Sequence, residues 1–299
     1  MYKSYTRQAS NFVFPYIDQK ITGIGRPRPN KYRLTDMEVL LKDEGKKDLK
    51  LEKNTDKYIN MNKYTNAINL YISSLKKYFS EKLNNDIKKK HTLNDDLIDF
   101  KKKYNNNVNL FLKNKKKTGS ELLKSLYNCS AKMIHIILRI LISPGPVLVY
   151  SNYVLMEGLE IFKIYLSYFG FYNYLDKTGK NGLGYVEFHG GVDKETREKG
   201  RRLYNDSSNK YGEKIKIIMI SPAGAEGISL NNVRQVHVME PYWHEIRIEQ
   251  IIGRGIRQCS HKALKLDERH VEIYRYKTIS RNKEWTTDQY IEDVARSKY

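Results

Sequence analysis

Ile215-Lys216-Ile217-Ile218-Met219-Ile220, followed by Ser221-Pro222-Ala223-Gly224-Ala225-Glu226-Gly227-Ile228-Ser229-Leu230, decides how this chain folds. A short apolar run broken only by Lys216 is what a strand covered on both faces requires, and such strands belong to parallel sheets. The glycines and alanines that follow mark a loop, where little side chain stands between the backbone and an approaching anion. A tight strand-to-helix turn asks for the same residues, so the loop alone leaves both readings open. Working outward, apolar strands are predicted over 147–150, 185–188, 235–239 and 271–276, with helices over 155–168 and 194–204. Strands alternating with helices imply an α/β fold with a mostly parallel sheet covered on both faces. Ligands in such a fold bind beyond the carboxyl ends of the strands.

Upstream, Leu122, Leu123, Leu126, Met133, Ile137 and Ile140 predict one long buried helix, stopped by Ser143-Pro144-Gly145-Pro146. Residues 31–117 are different. They hold 22 Lys and Arg against 12 Asp and Glu, which is half of the +20 net charge of all 299 residues. Ile68, Ile72, Leu75, Phe79 and Leu83 recur at helical spacing there. The runs Lys88-Lys89-Lys90, Lys101-Lys102-Lys103 and Lys115-Lys116-Lys117 are expected in loops between amphipathic helices. A solvated spacer is the plainer reading of lysine runs.

The basic excess points to a polyanionic partner. Two cysteines, Cys129 and Cys259, exclude a disulfide framework and give no paired metal-ligand spacing. No apolar leader or spanning segment is legible, so a soluble intracellular protein without a membrane partner is expected.

The sharpest constellation is Gln250-Ile251-Ile252-Gly253-Arg254-Gly255-Ile256-Arg257. On a helix, Gln250, Arg254 and Arg257 stand at i, i+4 and i+7 and share one face, with Ile248, Ile252 and Ile256 opposite. Two permanently charged, bidentate donors on a rigid element suit phosphate recognition. An arginine pair bridging surface carboxylates is the alternative.

These residues resemble the superfamily 2 helicases and nucleic-acid-dependent ATPases. Ala223 to Leu230 resembles motif V, and Gln250 to Arg257 resembles the Q-x-x-G-R-x-x-R form of motif VI. Residues 146–151 resemble the motif IV strand, and Phe188-His189-Gly190-Gly191 precedes a charged helix in the expected place. Trp243, and Ser260-His261 after Arg257, are similar to the Swi/Snf-like ATPases of large DNA viruses, such as nucleoside triphosphatase I and the small subunit of the early transcription factor. Residues 7–15 resemble the segment that enters the second domain of such proteins.

The resemblance implies a RecA-like helicase C-terminal domain over 120–299, a lead-in segment over 1–30 and a lysine-rich helical insertion over 31–119. It implies ATP with Mg²⁺ as cofactor, bound mainly by a first RecA-like domain that carries the P-loop and joins in cis or in trans. Arg257 would be the arginine finger, Arg254 its companion and Gln250 their support. Gly227, Ser229, Glu226 and Gly253 would lie by the nucleotide, Ser229 standing where many relatives have Asp or Asn. Ser151, His189, Gly190, Ala223 and Gly224 would meet DNA or RNA. A viral RNA polymerase is a further implied partner, and a cytoplasmic viral factory or the virion the place.

A P-loop needs G-x-x-x-x-G-K-[ST], and neither Gly45-Lys46 nor Gly179-Lys180 satisfies it. Asp43-Glu44 and Asp267-Glu268-Arg269-His270 mimic Walker B acids. The first reads as a helix end and the second as a solvated loop. No metal site is expected from Cys259 and His261. The isolated chain is therefore expected to be inactive, either as a fragment or split gene product awaiting a first domain, or as a non-catalytic nucleic-acid-binding or polymerase-associated module. Trp243 could stack on a base or pack its own helix, and His189 could touch a strand or be held in its turn.

Overall fold

Met61, Tyr64, Ile68, Tyr71 and Leu75 repeat every three or four residues and form the buried seam of helix α1 (Asp56–Lys89). Ile72 and Leu83, placed on that face by the sequence, lie half-buried beside it, and tyrosines fill the seam instead. The structure, a computed structural model, describes residues 7–34, 56–176, 183–222, 227–280, 282 and 284–298. Asp43-Glu44, Gly45-Lys46 and Gly179-Lys180 lie outside the described residues. The chain forms two compact units; among the described residues one holds 12–34 and 56–142, the other 7–11 and 143–298.

The helical unit continues through α2 (Leu93–Lys102), α3 (Val108–Thr118), α4 (Glu121–Cys129) and α5 (Ala131–Ile142). The lysine runs expected in loops are instead mostly the last turns of helices. Lys88 and Lys89 close α1, Lys101 and Lys102 close α2, and Lys115 to Lys117 close α3. Cations there oppose the negative end of the helix dipole. The single long helix expected over 122–140 is two, meeting at 116°. Ser130 adopts an extended backbone between them, and its hydroxyl accepts from the Met133 N–H at 3.1 Å, capping α5. By their contacts α4 and α5 belong to the helical unit, so the sheet-bearing unit begins at Ser143.

In that unit, strands β1 (Val147–Tyr150), β2 (Tyr172–Asn173), β3 (Gly184–Phe188), β4 (Ile215–Ile220), β5 (Gln235–Val238) and β6 (Glu272–Arg275) form one parallel sheet in the order β2-β3-β4-β1-β5-β6. Helices α6 (Leu159–Tyr168), α7 (Lys194–Tyr204), α8 (Glu245–Gly255) and α9 (Thr287–Arg296) complete it. Central β1 lies between β4 and β5, so the chain changes sides of β1 after β4 and opens a crevice at the carboxyl ends. On one face Leu148, Tyr150, Val186, Phe188, Ile218, Ile220, Val236 and Val238 pack against Tyr204 of α7 and Ile248 and Ile251 of α8. Each fully buried aliphatic side chain contributes roughly 1.5–3 kcal/mol, enough to fix α8 on the sheet. Asp267 and Glu268 lie in a short 3-10 turn, Leu266–Glu268, with Asp267 exposed and Glu268 half-buried, far from the buried strand that a Walker B acid needs.

Candidate functional site

The loop after β4 and the end of α8 are laced together. The Leu230 N–H donates to the Arg254 carbonyl at 3.3 Å, and the Asn232 N–H to the Ser260 carbonyl at 3.0 Å. One more link comes from His261, whose Nε2 lies 2.7 Å from the Val233 carbonyl and whose Nδ1 lies 2.8 Å from the Ser260 hydroxyl. Since a carbonyl only accepts, Nε2 carries the proton and Nδ1 accepts from Ser260. From α7's end, Asn205 donates to the Ser229 carbonyl and accepts from the Asn231 N–H, both at 2.9 Å.

The shared helical face predicted for Gln250, Arg254 and Arg257 holds for the first two only. Helix α8 stops at Gly255, and Ile256 takes φ −125° and ψ 65°. Arg257 therefore lies past the helix, where its Nη1 donates to the Ser229 hydroxyl. Ile256 is likewise off the buried face and 44% exposed. The stop has a local cause. Gly255 sits so close to the sheet that a Cβ there would be 3.3 Å from both Val233 Cγ1 and Val236 Cγ2, and two glycines in three residues weaken the last turn.

Gln250 and Arg254 line an open cleft of about 480 Å³ with Pro222, His244, Ile246, Arg247 and Ile251. Arg254 is half-buried, its Nε is buried without a hydrogen-bond partner, and among the described residues neither Arg254 nor Arg257 is in a salt bridge. A Cβ at Gly253 would meet nothing within 4 Å, so the backbone beside the cleft is open. Gly227 has φ +75°, a conformation that favours glycine. Glu226, Ala223 and Gly224 lie outside the described residues.

The other candidates are more enclosed. Ser151 is fully buried, donating to Glu240 Oε1 at 2.9 Å and accepting from the Tyr153 N–H at 3.1 Å. His189 is 4% exposed; its Nδ1 accepts from the Gly191 N–H at 3.2 Å, so Nε2 is the protonated nitrogen and donates to Glu187 at 2.8 Å. Burial alone would raise the Glu187 carboxyl, but the His189 hydrogen bond and the Lys163 charge hold it below the usual range. The histidine is thus held in its turn, and Gly190 beside it is buried while Gly191 is exposed.

Sequence reasoning missed Glu240. This buried carboxylate, just past β5, also accepts from the Asn152 N–H and from Asn11 Nδ2, tying the loop after β1 to the lead-in segment. That segment places the Arg7 guanidinium 5.4 Å from the Tyr242 and Trp243 ring centres and 5.7 Å from that of Tyr153. Trp243 also meets Tyr290 edge-on, so it packs against its own unit. The only legible signal was the acid in Glu240-Pro241-Tyr242-Trp243. Among the described residues no single helix is long and apolar enough to cross a membrane, and no group of three or more His, Cys, Asp and Glu could hold a metal.

A parallel sheet with a loop and a helix meeting at a cleft by its carboxyl edge is the arrangement in which open α/β domains bind ligands. Residues 132–259 match the family model described as "Helicase conserved C-terminal domain". Among solved structures, the C-terminal part of the Fun30 ATPase domain aligns with 57% of this chain and 53% of that chain at 14% identity and a TM-score of 0.35. A protein of Acanthamoeba polyphaga mimivirus, named for a proposed ATP-dependent RNA helicase activity, is 44% identical over 308 residues, all of this chain and 37% of that protein. Nucleoside triphosphatase I of Melanoplus sanguinipes entomopoxvirus is 34% identical over 154 residues, 52% of this chain and 22% of that protein. The chain thus spans about a third or less of these relatives. Its residues 132–259 match a helicase conserved C-terminal domain, and the chain is similar to viral proteins named as helicases and nucleoside triphosphatases.

Proposed function

We propose that this chain is the C-terminal half of an ATP-dependent helicase or translocase acting on DNA or RNA in viral transcription, and that it supplies motifs IV to VI and the arginine finger. One observation carries the reading: Gln250 and Arg254 face an open cleft, with no carboxylate among the described residues neutralising Arg254. An arginine that merely bridged surface acids would have no reason to keep a buried Nε unpaired.

The residues fit a triphosphate. Guanidiniums and an amide donate only to acceptor oxygens, and the open backbone at Gly253 leaves room for one. Among the described residues the cleft offers no carboxylate for Mg²⁺, which a P-loop-bearing first domain in cis or in trans would supply. When bound, ATP supplies the phosphoryl group whose transfer drives movement on the strand. Arg254 orients toward the cleft from a rigid helix, Gln250 holds a donor one turn away, and Ser229 holds Arg257 past the end of α8 until the domains close. The loops after β1, β3 and β4, with Ser151, His189, Gly190, Ala223 and Gly224, would present backbone groups to the nucleic acid, the buried side chains of Ser151 and His189 acting as supports.

The test is reconstitution with a P-loop-bearing domain from a relative. The chain alone should hydrolyse no ATP; the pair should do so when nucleic acid is added, and Arg257→Ala should abolish it. Turnover by the isolated chain, or a pair indifferent to Arg257→Ala, would overturn the proposal and favour the polymerase-associated docking module.

A further inference from the structure

The lysine runs of the helical unit are not equivalent, because two of them meet. Asp86, near the end of α1, accepts from the Glu121 and Leu122 N–H groups at 2.6 and 2.9 Å, docking that end onto the start of α4. Asp96, in the first turn of α2, accepts from the Ser120 N–H at 2.8 Å and pairs with Lys115 at 2.9 Å. Only Gly119 and Ser120 separate the end of α3 from the start of α4. The carboxyl ends of α1 and α3 and the amino ends of α2 and α4 therefore share one corner.

The charge at this corner exceeds what the fold needs. Two helix carboxyl ends bring roughly −0.5 each and two amino ends roughly +0.5 each, so the dipoles cancel. Lys89 is paired with Glu121, and Lys115 with Asp96 and Asp99. The carboxylates of Asp86 and Asp95, in turn, are taken by backbone N–H groups and the Thr92 hydroxyl. Lys88, Lys90, Lys116 and Lys117 have no carboxylate partner among the described residues, and three of the four are exposed, Lys116 being half-buried. These like charges at two helix ends that meet at one corner gain from a polyanion, whose pull is felt within a Debye length of about 8 Å at physiological salt. Lysine is depleted from protein interfaces, whereas flexible point charges without aromatic anchors suit a phosphate backbone read without sequence.

We infer that this corner is a second nucleic-acid-binding surface, gripping the phosphate backbone through Lys88, Lys90, Lys116 and Lys117 outside the helicase domain. The inference rests on the reading that the chain works on nucleic acid. It assigns to the insertion a grip that does not depend on ATP.

The test uses the full chain, and fluorescence anisotropy with labelled duplex DNA, single-stranded DNA and single-stranded RNA between 50 and 200 mM salt. The variant Lys88→Gln/Lys90→Gln/Lys116→Gln/Lys117→Gln should bind at least tenfold more weakly at the low-salt end. Its plot of log K against log salt should be shallower by about 0.9 per engaged lysine on duplex and about 0.7 on single strands, which identifies the preferred strand form. A charge-matched control, Lys63→Gln/Lys77→Gln/Lys262→Gln/Lys265→Gln, should keep the slope of the parent. An unchanged slope in the first variant, or an equal loss in both, overturns the inference. Should the quadruple glutamine variant melt early, Lys88→Gln/Lys117→Gln should lose about half as much slope at parental stability. Arg254→Ala should leave the slope alone while abolishing ATPase in the reconstituted pair, so failure of the motor reading and failure of this surface register in different assays.

Discussion

Arg257 donates through Nη1 to the hydroxyl of Ser229, joining two segments 28 residues apart and holding the arginine past the end of α8. The bond is exposed, so its contribution to stability is small, and its value lies in where it leaves the guanidinium. Arg257→Ala should lower the reconstituted ATPase by about 10³-fold or more, the usual effect of losing an arginine finger, with the melting curve within about 0.5 kcal/mol of the parent. Ser229→Ala should retain most activity. Steady-state turnover and thermal melts decide it; a large loss of stability in Arg257→Ala would assign the residue a structural role instead.

Two glycines on α8 should respond in opposite senses to alanine. A Cβ at Gly253 meets open space, so Gly253→Ala should stabilise the fold by up to about 1 kcal/mol. At Gly255 the new methyl presses on Val233 and Val236, both fully buried and stiff at χ1, so overpacking of about 1–3 kcal/mol outweighs the helix gain. Urea unfolding of both variants checks the pair.

Lys216 supplies a pH dependence. Burial pushes its ammonium from 10.5 down to about 8, with Arg234 adding to the effect, although Nζ still donates to the Ser143 carbonyl at 2.7 Å. A depressed folded value means that the unfolded chain binds more protons between pH 8 and 10.5, so this residue makes stability rise with pH across that window. Lys216→Met should raise the melting temperature at pH 7, and the advantage should shrink toward pH 10. An advantage constant with pH would show that desolvation of the ammonium is not its cause.

The two thiols should be chemically distinct. Cys129 is buried and pushed up to about 12, whereas Cys259 is exposed. A chromogenic disulfide reagent at pH 8 should titrate one thiol in the native protein and two in denaturant, and Cys259→Ser should remove the native one.

Asp86 anchors the corner of the helical unit. Asp86→Ala strips the acceptor from two backbone N–H groups and should cost about 1–3 kcal/mol. Asp86→Asn, keeping one acceptor oxygen, should recover part of it, as read by denaturant midpoints.

Much of the fold could be read directly from local pattern. Ile215–Ile220 and Val147–Tyr150 are strands over the predicted residues, and Lys194–Tyr204 is a helix as predicted. Parallel strands buried on both faces write themselves as short apolar runs. Tyr172–Asn173 was invisible, because a two-residue edge strand has no period. The break at Ser130 was missed because the apolar spacing runs through it, and only the cap turns the chain. The lysine runs looked like loops because helical charge and solvated charge have the same composition.

Short-range periodicity and spacing in the sequence determined the sheet strands and the placing of Gln250 and Arg254 on one helical face. Tertiary structure alone decided that α8 ends at Gly255, that Arg257 leans on Ser229, that Glu240 gathers Ser151, Asn152 and Asn11, and that two lysine runs share a corner. Each of those depends on segments distant in the chain coming within hydrogen-bonding reach. That proximity is set by how the sheet and helices pack, and no local window of residues encodes it.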